Sequence, residues 1–254
     1  MKKLMFAAAV AAASVAMADV TSANIVGYQG NTLREGRIAL GSSFIPVSGE
    51  TIDLTDVVII SEDETEEDVD IQKLTARGGA VSGSNFYWNN FMDDEDLIYG
   101  WFNGSGKKAV KGDQTYEIGD AIWINAPDNT FKIQYSGAVD QEGSAVVLRE
   151  GRKLIANPTP VAVNLYDVKV TSEDETEEDV DIQKLTARGG AVSGSNFYWN
   201  NFMDGEDLVY GWYNGSGKRL TREDGMMYGP GEAMWVNAPD NTFQIEWPGV
   251  TIAK

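Results

Sequence analysis

Apolar and polar residues alternate along much of the chain with the period of two that is typical of half-buried β-strands. Phe131, Ile133 and Tyr135, for example, alternate with Lys132 and Gln134. Short runs rich in glycine, asparagine, aspartate and proline separate such segments, as expected of turns. This pattern predicts an all-β fold.

Five further segments refine this prediction. Strands are expected at Arg37 to Leu40 and at Arg152 to Ala156, each following the glycine of a Leu-Arg-Glu-Gly turn. The segment from Gly119 to Ile124 is apolar on both faces and is therefore placed centrally in a sheet. Leu54 to Val57 predicts a single helical turn, the only helix expected, with a counterpart at Leu165 to Val168.

One stretch occurs twice without a single difference, from Ser61 to Asp93 and again from Ser172 to Asp204. Cores accept volume-conserving swaps, so folding does not require such identity and a duplication explains it better. Similar segments flank both copies. The chain is therefore predicted to contain two tandem modules, residues 19–140 and 141–254, each a β-sandwich or a partly open β-barrel.

The first residues have the features of a secretory signal peptide. Lys2 and Lys3 precede an apolar run from Leu4 to Val15, and Ala16-Met17-Ala18 is a cleavage motif. Residues 1–18 are therefore excluded from the fold. The expected location is secreted or periplasmic, with attachment to the cell surface as a further option.

Composition excludes several classes of function. The formal charge of −19 disfavours binding to nucleic acids and to anionic membranes. Cysteine and histidine are both absent, which removes thiolate nucleophiles and the commonest general base. A pair of carboxylates could still hydrolyse a glycoside, but nothing selects two among the many acids. The protein is therefore predicted to be no enzyme, with no catalytic or cofactor-binding residues and no cofactor.

The repeated stretch carries a row of acidic residues. In an extended strand, neighbours on one face lie about 7 Å apart and repel by roughly 2 kcal/mol at an effective dielectric near 20. A solvated loop is therefore expected, and a calcium site among the carboxylates is the alternative. The row comprises Glu62, Glu64, Glu66, Asp68 and Asp70, repeated as Glu173, Glu175, Glu177, Asp179 and Asp181.

The chain has seven tryptophans, of which two stand out as candidates for a carbohydrate-binding surface. Trp88 precedes Asn89-Asn90, and Trp199 precedes Asn200-Asn201, a mixture of aromatic and polar side chains suited to ligands. The four tryptophans in apolar strand patterns are expected to fill cores. These are Trp101, Trp123, Trp212 and Trp235.

Several motifs together resemble a family of exported Gram-negative bacterial proteins of unassigned function. They are A-N-[IV]-V-G-Y at Ala23 to Tyr28, L-I-A-N-P at Leu154 to Pro158, G-W at Gly100-Trp101 and Gly211-Trp212, and a P-G-x-x-[FW]-[WIV] segment at Pro230 to Trp235, in which methionine takes the [FW] position. The first copy departs from this pattern, with Gly41-Ser42-Ser43 in place of A-N-P and Ile118 in place of the proline. The resemblance implies a secreted β-module and no particular activity.

The leading hypothesis is an exported, non-catalytic surface or matrix component that presents two equivalent faces, so that weak contacts gain avidity. The alternative is a carbohydrate-binding protein with one aromatic site per module. The expected partners are a glycan or a cell-surface component, calcium at the acidic loops, or further copies of the chain.

Overall fold

A computed structural model of the chain describes residues 26–33, 35–46, 51–61, 69–72, 83, 85–93, 96–127, 131–172, 180–185, 191–204 and 206–250. The described chain is all-β, which confirms the predicted fold class. The predicted signal peptide lies outside these residues.

The strands of the first half match the predicted alternation and extend beyond several of the predicted segments. They are β1 (Val26–Thr32), β2 (Gly36–Gly41), β3 (Thr51–Asp53), β4 (Val58–Ser61), β5 (Val69–Gln72), β6 (Phe86–Asp93), β7 (Asp96–Asn103), β8 (Thr115–Glu117), β9 (Ala121–Ala126) and β10 (Phe131–Ala138).

The second half has a corresponding series of strands. They are β11 (Ala145–Val147), β12 (Gly151–Ala156), β13 (Val163–Asn164), β14 (Lys169–Ser172), β15 (Val180–Leu185), β16 (Ala191–Asp204), β17 (Asp207–Asn214), β18 (Met227–Tyr228), β19 (Ala233–Ala238) and β20 (Phe243–Glu246).

The same strand orders appear in both halves. Five-stranded sheets run β2-β9-β5-β6-β7 and β12-β19-β15-β16-β17, and three-stranded sheets run β1-β10-β4 and β11-β20-β14. Two further pairs, β3-β8 and β13-β18, lie outside these sheets. Neighbouring strands in every sheet are antiparallel, and the described strands close no barrel, so the sheets are consistent with sandwich modules.

Each half encloses an apolar cluster between its sheets. Ile122 and Ile124 of β9 point into the first cluster, and Met234 and Val236 of β19 point into the second. Both strands lie in the interior of their sheets, as predicted for β9 from its apolar sequence. The two clusters share no residue, while the module bounds at 19–140 and 141–254 stay a prediction.

The outer faces of these two strands meet each other across the halves. A third apolar cluster lies there and contains residues from both halves. Trp123 and Leu185 pack against it at its border. The inner faces of β9 and β19 are therefore shielded by the core of their own half, and the first residues of their outer faces, Ala121 and Trp123 in β9 and Ala233 and Trp235 in β19, pack at the contact with the other half. The members of this cluster are Ala39, Ala121, Leu154, Ala156, Ala233 and Trp235.

Reciprocal backbone bonds join the halves beside that cluster. The Gly41 amide donates to the Gly231 carbonyl at 3.0 Å, and the Ala156 amide donates to the Gly119 carbonyl at 2.9 Å. Gly41 and Ala156 end corresponding strands, so the contact has approximate two-fold symmetry. An ion pair from Lys153 to Asp120 at 3.1 Å adds to one side of it.

The segment that joins the halves is also held in place. The Asp140 carboxylate accepts hydrogen bonds from the amides of Glu142 and Gly143 at 3.1 and 3.0 Å and from the Ser144 hydroxyl. The Val250 amide donates to the Asp140 carbonyl at 3.2 Å. The connection is thus bound at both ends and does not act as a loose linker.

Single 3₁₀ turns occur at Leu54–Asp56 and Leu165–Asp167, as predicted. Asp53 caps the first turn, where its carboxylate accepts from the Thr55 amide at 2.9 Å and the Gly112 amide at 2.6 Å. Burial by itself raises the pKa of Asp53, but these hydrogen bonds outweigh it, so the pKa lies below its ordinary value. Asn164 caps the second turn and donates to the Arg222 carbonyl at 2.9 Å instead.

Replacing Asp53 by asparagine is expected to cost about 1 kcal/mol at neutral pH, because one amide loses its charged acceptor. Since the folded state lowers this pKa, the contribution exists above the unfolded pKa near 4 and disappears as the pH falls through the folded value. Urea unfolding of wild type and D53N between about pH 7 and pH 2 measures it, and the two curves should converge in acid. Parallel curves over the whole range would contradict this assignment.

Candidate binding grooves

The two tryptophans chosen from the sequence face the cores. Trp88 lies edge-on to Trp101 at 5.3 Å and is partly buried against the first cluster. Trp199 lies edge-on to Trp212 at 5.3 Å and packs against the second cluster in the same manner. Neither therefore forms the aromatic floor of an outer surface, and the side chains of the neighbouring Asn90 and Asn201 lie outside the described ones.

The outer face of each five-stranded sheet carries a row of polar and aromatic side chains instead. In the first half, Asn125 of β9 pairs in register with Arg37 of β2 on one side and Asp70 of β5 on the other. Asp70 pairs in turn with Tyr87 of β6. Directly opposed side chains lie about 5 Å apart at Cβ, so the four groups form one continuous row.

The second half repeats this row. Asn237 of β19 pairs with Arg152 of β12 and Asp181 of β15, and Asp181 pairs with Tyr198 of β16. Asp70 and Asp181 are the last members of the predicted acidic rows, and they lie on strands rather than in loops. The other members of those rows lie outside the described residues.

A groove follows each row. The groove of the first half has a volume of about 250 Å³, and that of the second half about 480 Å³. The first groove is lined by Arg37, Asp70, Ile71, Asn85, Trp123, Ile124 and Asn125. The second is lined by Arg152, Asp181, Ile182, Gln183, Asn196, Phe197, Tyr198, Gly215, Trp235 and Asn237.

The outer-face residues of the grooves are the same in both halves, although the strands that carry them differ at other positions. Strands β9 and β19 read Ala-Ile-Trp-Ile-Asn-Ala and Ala-Met-Trp-Val-Asn-Ala, so only the core-facing positions change. Strands β2 and β12 differ at four of their positions but share the arginine. All four strands lie outside the stretch that is identical in the two halves. The identity of that stretch therefore does not explain why these strands share their groove residues.

A hydrogen-bonded chain organises the second groove. The guanidinium of Arg152 lies over the Trp235 ring, with Cζ 4.9 Å from the centroid, and Nη2 donates to Gln183 Oε1 at 3.3 Å. Gln183 Nε2 donates to Asn196 Oδ1 at 2.6 Å. Beside the groove, the rings of Tyr198 and Tyr213 stack at 5.6 Å, as Tyr87 and Phe102 do in the first half at 5.8 Å.

The carboxylate of the first groove is partly desolvated. Burial raises the pKa of Asp70, and a hydrogen bond with Asn125 acts in the opposite direction. The Asp70 carboxylate thus lies beside the Asn125 amide in the groove. A groove of this composition can accept and donate hydrogen bonds to several hydroxyl groups at once.

The grooves are lined by two tryptophans other than the pair selected from the sequence. Trp235 is buried in the third cluster, as expected of a core residue, and it also lines the second groove. Trp123 was likewise expected in a core, but it is only half-buried at the border of that cluster and lines the first groove. The alternation of Trp123 with Asn125 on one face of β9 is the signal that could have shown it. The other expected core residues, Trp101 and Trp212, are buried as predicted.

Two features that would indicate particular partners are absent from the part of the chain that the structure describes. No group of three or more acidic side chains that could hold a metal ion occurs among the described residues, and the acidic runs at 62–68 and 173–179 lie outside them. In the same part of the chain, no helix has the length and apolar character needed to cross a membrane.

Comparison of the chain with protein-family models finds no match, and comparison with curated proteins finds none either. The resemblance to exported β-modules therefore stays a prediction that rests on its motifs.

Proposed function

We propose that the protein is an exported, non-catalytic carbohydrate-binding protein with one groove in each half. The observation that carries this proposal is the pair of corresponding grooves, each with an arginine, an aspartate, two asparagines and a tryptophan. Chemistry of this kind fits a saccharide, whose hydroxyl groups need several donors and acceptors and whose C–H faces stack on aromatic rings. Nothing in the row pairs a nucleophile with a base, which supports binding without catalysis.

The attachment of the halves to each other supports a bivalent mode of binding. The reciprocal bonds from Gly41 to Gly231 and from Ala156 to Gly119 fix the two grooves in one arrangement. A ligand with repeating units could engage both grooves, and the second contact then forms at a high effective concentration. Weak individual sites would thereby produce useful overall affinity for a polymer or a coated surface.

The test is a glycan array probed with residues 19–254. Asn125→Ala together with Asn237→Ala removes the central amide of both rows, and saccharide binding should fall at least about tenfold. Gln134→Ala together with Gln244→Ala is the matched control, because these amides lie on the three-stranded sheets away from the grooves. Equal binding by both double variants would contradict the proposal.

A surface or matrix component that assembles from further copies is the second candidate, which one feature of the first half favours. Val58 and Ile60 are each 40% exposed on β4, which lies at the edge of its sheet. The corresponding residues of β14 are Lys169 and Thr171, and a lysine on such an edge protects it against pairing. Concentration-dependent assembly without any saccharide bound would favour this candidate, and calcium at the acidic runs is a further proposed partner.

A further inference from the structure

We propose that the grooves are unequal sites for a neutral saccharide unit, with the first groove the stronger because Arg152 covers the tryptophan of the second. This inference rests on the proposed function and names the ligand class and the residues that set the affinities. In both grooves the Asp–Asn pair binds the sugar hydroxyls. The difference between the grooves lies in the aromatic floor.

The hydroxyl-binding part is the same in both halves. Asp70 and Asn125 are in register on adjacent strands, as are Asp181 and Asn237. A carboxylate oxygen accepts from neighbouring hydroxyls of one sugar, while an amide beside it both donates and accepts. Such charge-assisted hydrogen bonds contribute more than neutral ones, so each aspartate is the main anchor.

The same carboxylates select against acidic sugars. A uronate in the groove would bring its own charge close to Asp70 or Asp181, and the whole chain carries a formal charge of −19. Like charges a few ångströms apart at a protein surface repel each other, so a uronate should bind more weakly than a neutral sugar. The arginine in each row offsets only part of this repulsion, because it lies beyond the asparagine.

The aromatic floor differs between the halves. Trp235 is only 9% exposed, and the guanidinium of Arg152 occupies one face of its ring while Gln183 holds that guanidinium in place. Trp123 is half-buried, and Arg37 and Arg152 are both exposed, so the difference lies in where the guanidinium is held. Among the described residues, Arg37 makes no contact of this kind with the Trp123 ring.

One substitution between the halves accounts for the tighter cover in the second. The residue paired with Trp235 is Leu154, whereas the residue paired with Trp123 is Ala39. Leucine fills more of the space beside the ring, and both Leu154 and Trp235 are buried in the contact between the halves. A sugar that stacks on Trp235 must therefore displace Arg152, whereas one that stacks on Trp123 need not displace Arg37.

Isothermal titration of residues 19–254 tests this inference with defined probes. The neutral probes are cellotetraose, mannotetraose and the tetramer of N-acetylglucosamine, and the acidic probe is tetragalacturonate. We expect a neutral probe to fill two sites whose affinities differ by about two- to thirty-fold, the range that cation–π contacts span. Asp70→Asn should weaken the stronger site at least about tenfold, and Asp181→Asn should weaken only the weaker site.

Arg152→Ala is the decisive variant and Arg37→Ala its matched control. Removing Arg152 should strengthen the weaker site toward the stronger one, whereas removing Arg37 should leave the ratio of affinities unchanged or larger. Weaker binding after Arg152→Ala, equal affinities in the wild type, or binding of tetragalacturonate alone would overturn the inference while leaving saccharide binding intact. Binding of none of the probes, together with an array on which no saccharide binds, would overturn the proposed function as well.

Discussion

Replacing Asn157 by alanine is expected to lower the free energy of unfolding by about 3–4 kcal/mol, the largest loss among the polar substitutions considered. The Asn157 side chain is fully buried and its Nδ2 donates to the carbonyls of Val161, Tyr228 and Gly229 at 2.9–3.1 Å. Its Oδ1 accepts from the Thr159 amide at 3.0 Å. Alanine leaves these groups without their partner and creates a cavity besides.

The loss should extend to the contact between the halves. The backbone of Asn157 exchanges hydrogen bonds with the turn at Gly231 and Glu232, and that turn accepts the bond from Gly41. Urea unfolding of the full chain measures the effect, with Asn241→Ala as the control because Asn241 accepts one exposed bond from the Glu150 amide. The control should cost about 0.5 kcal/mol or less. A similarly small cost for Asn157→Ala would show that water replaces the amide.

Replacing Gly231 by alanine is expected to cost about 3 kcal/mol, because the new methyl group meets the other half of the molecule. Its Cβ would lie 2.2 Å from Gln29 Nε2 and 2.3 Å from the Gly41 carbonyl oxygen. Gly231 also has φ of +66°, a conformation that strains any residue with a side chain. Crowding and strain therefore act together at this position.

Gly36→Ala separates these two causes. Gly36 has φ of +95°, but nothing lies within 4 Å of its added Cβ, so only the strain of about 1 kcal/mol applies. The difference between the two variants in urea unfolding reports the crowding at the contact between the halves. Equal losses would indicate that the halves separate readily and that the grooves are not fixed relative to each other.

Local sequence patterns determined the secondary structure. The alternation of Phe131, Ile133 and Tyr135 predicted β10, since every second side chain of a strand faces the same side. The apolar character of both faces of β9 predicted its interior position in the sheet. The helical turn at Leu54 was also predicted, and such turns depend only on neighbouring residues and their cap.

Tertiary structure alone decided what covers the outer face of β9. The sequence indicates that Trp123 is shielded from water. It does not indicate whether the core of the first half or the contact with the other half provides the shielding, because both exclude water. The choice depends on the pairing of β9 with β2 and on the approach of β19 from the other half. Those contacts join residues far apart in the chain, which no local period describes.

The grooves have the same origin. Arg37, Asp70 and Asn125 come from three strands that are distant in sequence, and the order β2-β9-β5 brings them into one row. The sequence therefore determined that these residues lie on strands. It did not determine which residues lie beside them on adjacent strands, because strand order is set by how the sheets pack. The cover of Trp235 by Arg152 depends on one more non-local contact, and that contact distinguishes two halves whose groove residues are otherwise alike.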